Sequence, residues 1–182
     1  KTGTLTEGVV RLDGALDPFG APSNSVLRYA YLNSKFQSGM NNPLDEAILT
    51  YAESLGIQPD AEQKVDEIPY DFVRKCLSVI TDSGDGERTL ITKGALENIL
   101  RLCVEIQIGT GFQPLDKITL DGIEQRYSAW SAKGFRVLGV AIKKLYGRNS
   151  SYSATAEKDL TFVGFILFFD PPKAGVERAI TD

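Results

Sequence analysis

Two segments in the first third of the chain carry apolar residues at the spacing of an amphipathic helix. In SVLRYAYLNSKFQSG one face holds Val26, Leu27, Ala30 and Tyr31. NNPLDEAILTYAESLG gives the clearest helical pattern, because Asn42 suits the N-cap and Pro43 the first helical position. Two later helices are predicted over ALENILRLC and over TLDGIEQRYSAWSAKG, where Thr119 is the candidate cap.

Between and after these helices the pattern changes to short β-rich runs. KVDEIPYDF, KCLSVITD and ERTLITK predict three strands, and the SGDG between the last two indicates a hairpin. A second hairpin is predicted around Gly109-Thr-Gly111, and FRVLGVAIKKL and LTFVGFILFFD predict two longer strands. VVRL predicts a strand near the start, whereas Asp13–Asn24 has the composition of a linker. Hairpins with inserted helices indicate an α+β fold, an antiparallel β-sheet flanked by helices.

Composition narrows the function classes. The chain has 182 residues and a formal net charge of −4, which argues against nucleic acid as the main partner. It has no histidine, so Ser-His or Cys-His catalysis and histidine zinc sites are excluded within it. No apolar run reaches the length of a membrane span. The two cysteines, Cys76 and Cys103, form no CxxC motif and are expected to be free thiols in a reducing compartment.

Four separated stretches could carry chemistry, although each also has an ordinary structural interpretation. KTGTLT can form a turn whose exposed amides cradle phosphate, or a plain turn. ITKGALENIL places Lys93 and Gly94 at a strand-to-helix junction, where an anion or a close ligand is favoured. DEIPYDFVRK offers Tyr70 for stacking on a base, or for core packing. DPPK is a rigid exit from a strand.

The order of these stretches is more specific than any one of them. KTGTLT, NPLDEA, IPYDFVRK, KGA, GFRVLG and DPPK follow one another along essentially the whole chain. In this the chain resembles the cytoplasmic region of P-type ATPases, cation pumps that form an aspartyl phosphate. YLNSKFQSG, DEIPYDF, KGALENIL and FFDPPK are most similar to the bacterial magnesium-transporting subfamily.

The resemblance implies a set of nucleotide-binding residues. Tyr70 stands where the family has the Phe that stacks on adenine, with Phe72 as the fallback, and Asp45 stands where the family more often has Glu. The family pattern places Lys93 deep in the pocket, Gly94 beside the purine and Arg136 toward the phosphates. Leu96 stands where Pro is common in the family, so that turn is expected to differ. The full implied set is Asp45, Tyr70, Phe72, Lys75, Lys93, Gly94, Arg136 and Asp170.

The resemblance also implies how the chain is divided. Residues 1–12 and 170–182 are expected to be phosphorylation-domain remnants and hinge, and residues 13–169 the nucleotide-binding domain. The phosphate-loop remnant is Lys1, Thr2, Gly3 and Thr4, and the phosphorylated Asp of the family would directly precede Lys1. No catalytic residue and no metal ligand is therefore expected in this chain.

The implied function is to bind ATP, together with its Mg2+, and present it to that Asp without hydrolysis by this segment alone. The implied partners are the phosphorylation and actuator domains of the same pump, in the cytoplasm beside a bacterial membrane, with no nucleic acid, no membrane contact and a monomeric state. Three alternatives stay open: the same domain of another cation pump, a non-nucleotide interaction module, and a haloacid-dehalogenase-type phosphatase. The last would need its nucleophile and a downstream acidic pair in the same chain.

Overall fold

The computed structural model describes residues 9–39, 41–59 and 61–169, and across them the chain forms one eight-stranded sheet with helices on both faces. The helices are α1 (Asn24–Phe36), α2 (Pro43–Ser54), α3 (Leu96–Leu102) and α4 (Lys117–Ala132). The strands are β1 (Arg11–Leu16), β2 (Gln63–Asp71), β3 (Cys76–Asp82), β4 (Arg88–Ala95), β5 (Cys103–Ile108), β6 (Gly111–Pro114), β7 (Arg136–Leu145) and β8 (Leu160–Phe169). The α+β fold predicted from the sequence is confirmed.

The sheet is mainly antiparallel. Its order is β2-β3-β4-β7-β8-β5-β6, and β1 also pairs with β8. The predicted hairpins are present as β3–β4 and β5–β6. The departure from an antiparallel sheet is the pair β5–β8, which runs parallel. β8 is also buried on both faces from Leu160 to Phe168, which explains why its sequence is apolar without alternation.

Each face of the sheet buries a separate apolar cluster. Ile48 and Ala52 of α2 pack with α1 on one face, and Ile99 of α3 and Ile123 of α4 pack on the other. β8 contributes to both clusters, for example through Ile166 to the first and Phe165 to the second. The helical stripes predicted from the sequence are thus the faces that cover the sheet.

Two expectations about element ends were wrong. The predicted linker Asp13–Asn24 includes the second half of β1, which pairs with β8 as far as Leu16. Gly14 and the following Pro and Gly residues hid this strand. The cap of α4 is Asp116, whose carboxylate accepts the amide hydrogen of Thr119 at 2.8 Å, so Thr119 lies inside the helix.

Candidate functional site

A buried ion pair joins α2 to β4. Asn42 caps α2 by accepting the amide hydrogen of Leu44 at 3.0 Å, and this places Asp45 in the first turn. Lys93 lies near the end of β4, and its Nζ donates to Asp45 Oδ1 and, at 2.6 Å, to Ser34 Oγ. Ser34 in turn donates to Asp45 Oδ1 at 2.8 Å. Two residues that the sequence brought near each other only through the resemblance are therefore in direct contact.

Burial sets the electrostatics of this pair. Lys93 is 7% exposed and Asp45 8%, so neither charge has much water around it. Burial lowers the pKa of Lys93 from its ordinary value of 10.5, and the neighbouring Asp45 opposes that shift. Gln37 Nε2 completes the surroundings, 3.4 Å from Asp45 Oδ2. Sequence reasoning missed Ser34 and Gln37, although both lie in the YLNSKFQSG stretch that carries the resemblance.

The predicted stacking residues lie where β2 passes into the turn that leads to β3, with Tyr70 at the end of the strand and Phe72 at the start of the turn. Tyr70 is 51% exposed and Phe72 86%, and their rings meet edge to face with centroids 5.4 Å apart. The turn is closed by Asp71, whose carboxylate accepts the amide hydrogens of Val73 and Arg74 at 2.9 and 2.8 Å. Half of the Tyr70 surface is therefore accessible to a ligand, and the core-packing alternative for it is wrong.

Gly94 connects this turn to the ion pair. It lies opposite Cys76 in the β3–β4 ladder, and a Cβ at Gly94 would come within 2.3 Å of the Lys75 carbonyl oxygen. Lys75 itself has a φ of 54°, and its carbonyl accepts the amide hydrogen of Ala95 at 3.0 Å. The close approach that the structure shows at Gly94 is thus to the chain's own backbone, while an approach of a purine stays a prediction.

The exposed cations flank the same end of the sheet. Lys75 is exposed and follows the turn directly. Arg136 is exposed at the start of β7, and β7 pairs with β4 so that Leu138 lies opposite Ala95. The strand geometry puts Arg136 about 10 Å along the sheet from the Gly94 row. Asp170, Lys1, Thr2, Gly3 and Thr4 lie outside the described residues.

A second charged cluster lies behind the turn, and no pattern in the sequence predicted it. Arg74 forms an ion pair with Glu157, whose side chain is 2% exposed. Glu157 Oε1 also accepts from Ser78 Oγ at 2.6 Å, and Ser78 shares a hydrogen bond with Thr92 at 2.7 Å. Glu157 belongs to a polar loop without periodicity, so nothing in its local sequence distinguished it.

These features are chemically suited to a nucleotide. An open aromatic ring, exposed cations and a buried Lys–Asp pair are the groups that a base and its phosphates require. Within 9–39, 41–59 and 61–169 no group of three or more Cys, Asp and Glu residues is arranged to hold a metal. No helix within those ranges is long and apolar enough to cross a membrane.

Comparison with known proteins agrees with the fold and with the order of the motifs. Residues 23–175 match the family described as P-type ATPase, cytoplasmic domain N, and the chain belongs to that family. Its fold is therefore that of the N domain of these pumps.

The chain is also similar to individual proteins of this family. The chain is 40% identical over 99% of its length to "Magnesium-transporting ATPase, P-type 1" of Escherichia coli K12, of which it covers 20%. It is 38% identical, with the same coverage, to the protein of that name in Salmonella typhimurium 14028s. "Calcium-transporting ATPase 1" of Lactococcus lactis is 27% identical over the whole chain, which covers 23% of it. The chain thus spans about a fifth of the length of the curated relatives it matches.

Proposed function

We propose that this chain is the ATP-binding domain of a magnesium-transporting P-type ATPase and that it presents ATP to an aspartate of a neighbouring domain. Two observations carry the proposal: the half-exposed Tyr70 ring at the end of β2, and the buried pair Lys93–Asp45 near the end of β4, one strand away across β3, both within the stretch that matches the family. The higher identity to magnesium-transporting relatives than to the calcium-transporting one favours Mg2+ as the cargo.

Each residue has a distinct part in this proposal. Tyr70 stacks on adenine, with Phe72 bracing its ring from the side. Lys93 and Asp45 offer a donor and an acceptor at the inner end of the pocket, and nucleotide entry would exchange part of their mutual pairing for pairing with the base. Lys75 and Arg136 meet the phosphates, and Mg2+ arrives with the ATP and screens its charge.

The ends of the domain support the expected connection to the rest of a pump. Arg11 of β1 lies opposite Phe169 of β8, so the chain enters and leaves the sheet side by side. Two adjacent strand ends form a two-strand hinge of the kind that lets one domain close on another. We propose that residues 1–12 and 170–182 continue into the phosphorylation domain and that this domain and the actuator domain are the partners.

ATP titration of the 182-residue chain tests the binding role, followed by amide shifts or Trp130 fluorescence. Replacing Tyr70 by Ala should weaken binding about tenfold, because stacking contributes about 1–3 kcal/mol per base. Lys93→Ala should weaken it as well. Tyr146→Ala is the matched control, since Tyr146 is 94% exposed at a site away from the turn. If neither Tyr70→Ala nor Lys93→Ala weakens binding, the site is misplaced and the interaction-module alternative gains.

Hydrolysis is tested separately. We expect the chain to bind ATP without forming a phosphoenzyme, because the family's nucleophile is an Asp that would precede Lys1. Incubation with γ-labelled ATP should leave the chain unlabelled, and covalent labelling would contradict the proposal. The cargo is tested on the full-length pump, by comparing Mg2+ with Ca2+ as the transported ion.

A further inference from the structure

The turn that follows Tyr70 has little side-chain packing at its tip. Phe72 and Val73 at its tip are 86% and 85% exposed, so apolar burial does not hold them. Asp71 accepts hydrogen bonds within the turn, and backbone pairing fixes the two ends, where Asp71 lies opposite Cys76 and the Lys75 carbonyl accepts from Ala95. These bonds hold the ends of the turn but not its tip. A ring that must meet adenine in one orientation needs an anchor elsewhere.

Arg74 supplies that connection. Its Nη2 donates to the Pro69 carbonyl at 2.7 Å, on the strand that enters the turn, and its Nη1 pairs with Glu157. A single guanidinium therefore ties the turn to a loop that is more than eighty residues away in sequence. Its planar fork fixes direction as well as distance.

Glu157 is itself held firmly. It accepts from Ser78 on β3, beneath the turn, and its side chain is nearly inaccessible to water. The loop around it is fastened at two more points, where Lys143 Nζ donates to the Lys158 carbonyl and the Tyr152 amide donates to Asp66, each at 2.7 Å. A buried ion pair adds little net stability. Because the planar guanidinium of Arg74 bonds Glu157 and Pro69 at once, we interpret the pair as a positioning device rather than as a source of stability.

We propose that Glu157 is a positioning residue for nucleotide binding: through Arg74 it holds the Tyr70–Lys75 turn in the conformation that presents the Tyr70 ring and the Lys75 ammonium to ATP. This inference rests on the proposed function. It adds a residue that touches no ligand and lies on the face of the sheet opposite to Lys93, since Ser78 and Thr92 face one way and Lys93 the other.

The test is a double-mutant cycle in the 182-residue chain. Glu157→Gln keeps a partner for Ser78 but removes the charge, and we expect ATP binding to weaken about tenfold. In a Tyr70→Ala background the same change should cost less than about threefold, because the ring is gone and the Lys75 ammonium alone is left to be positioned. Glu87→Gln removes the exposed pair with Lys144 and is the matched control, with unchanged binding expected. Amide shifts in the ligand-free Glu157→Gln chain should change at Asp71–Lys75.

The outcomes separate this inference from the proposed function. If the parent chain binds ATP and Tyr70→Ala weakens binding while Glu157→Gln does not, the function stands and the positioning role is wrong. Fully additive losses in the cycle would also overturn it, since a general structural defect behaves that way. If Glu157→Gln does not fold, Arg74→Lys replaces it: this variant keeps the charge beside Glu157 but loses the donor to Pro69. Weakened ATP binding by this variant supports the role, and parent-like binding rejects it.

Discussion

The replacement of Asp45 by Asn tests whether the Asp45 carboxylate offsets the cost of burying the Lys93 charge. The change keeps the size of the side chain and the position of one oxygen but removes the negative charge. Lys93 would then remain 7% exposed, with the Ser34 hydroxyl 2.6 Å away and no carboxylate to neutralise it.

The expected loss of stability follows from that isolation. Removing one partner of a buried pair costs about 3–5 kcal/mol, because the remaining charge keeps its desolvation penalty. Domains are stable by only about 5–15 kcal/mol, so the variant should be strongly weakened but still able to fold. With a urea dependence of about 2 kcal/mol per molar, the unfolding midpoint should fall by about 1.5–2.5 M.

Urea unfolding followed by Trp130 fluorescence measures this directly. Glu87→Gln is the control, since the pair Lys144–Glu87 is exposed and should move the midpoint by less than about 0.5 M. An apolar double variant, Asp45→Leu with Lys93→Met, should recover much of the stability that Asp45→Asn loses. An Asp45→Asn midpoint within about 0.3 M of the parent would refute the reasoning, because Lys93 would then have found compensation elsewhere.

The pH dependence of the stability provides an independent check, because the direction in which the deficit of Asp45→Asn changes with pH is fixed by the shifted pKa of Lys93. The pKa of Lys93 is lowered in the folded chain, so between that value and 10.5 the unfolded chain binds the extra proton. Stability from this group therefore increases as the pH rises through that interval. Asp45→Asn removes the charge that supports protonated Lys93, which lowers its pKa further and widens the interval. The deficit of the variant should shrink as the pH is raised from 7 toward 10, and a constant or growing deficit would contradict this.

Two further results are expected. Gly94→Ala should lower the free energy of unfolding by about 1–3 kcal/mol or more, because the new Cβ would lie 2.3 Å from the Lys75 carbonyl oxygen. Gly14→Ala is the control, since its Cβ would meet Leu16 at an ordinary 3.7 Å. Equal effects of the two variants in urea unfolding would count against this packing account. Cys76 should resist alkylation by iodoacetamide at pH 8 in the folded chain, because burial raises the pKa of its thiol to about 11. Rapid modification of Cys76 in the folded chain, measured by mass spectrometry, would disprove this expectation.

The elements that the sequence predicted well are those whose patterns are local. The cap Asn42 and Pro43 in the first turn mark the start of α2 through local sequence alone. The hairpin at Ser83–Glu87 is likewise predicted by the glycines of its own turn. β1 was only half recognised, because its Gly14 breaks the strand pattern and only the pairing with β8 shows that the strand continues.

The site divides in the same way. Tyr70, Lys93 and Asp45 were found because they lie in short motifs that resemble a known family. Contacts between residues that are distant in sequence could not be predicted from any short stretch of the chain. Glu157 contacts Arg74 and Ser78 from a loop with no periodicity, and Ser34 on α1 contacts Lys93 on β4. The resemblance indicated which residues are proposed to contact the ligand, whereas the structure shows which side chains contact those residues from elsewhere in the chain.

The buried charges of the domain show why these supports are found where they are. Among the described residues, the charged side chains that are buried are Asp45, Lys93 and Glu157. Lys93 lies in the row Leu77–Lys93 of the β3–β4 ladder, and Glu157 is held by the adjacent row Ser78–Thr92 from the other face. Burying charge gains little stability, so evenly scattered pairs would have no advantage. Concentrating them back to back beside one exposed turn connects the strand ends to the turn, which is the arrangement that the proposed nucleotide site requires.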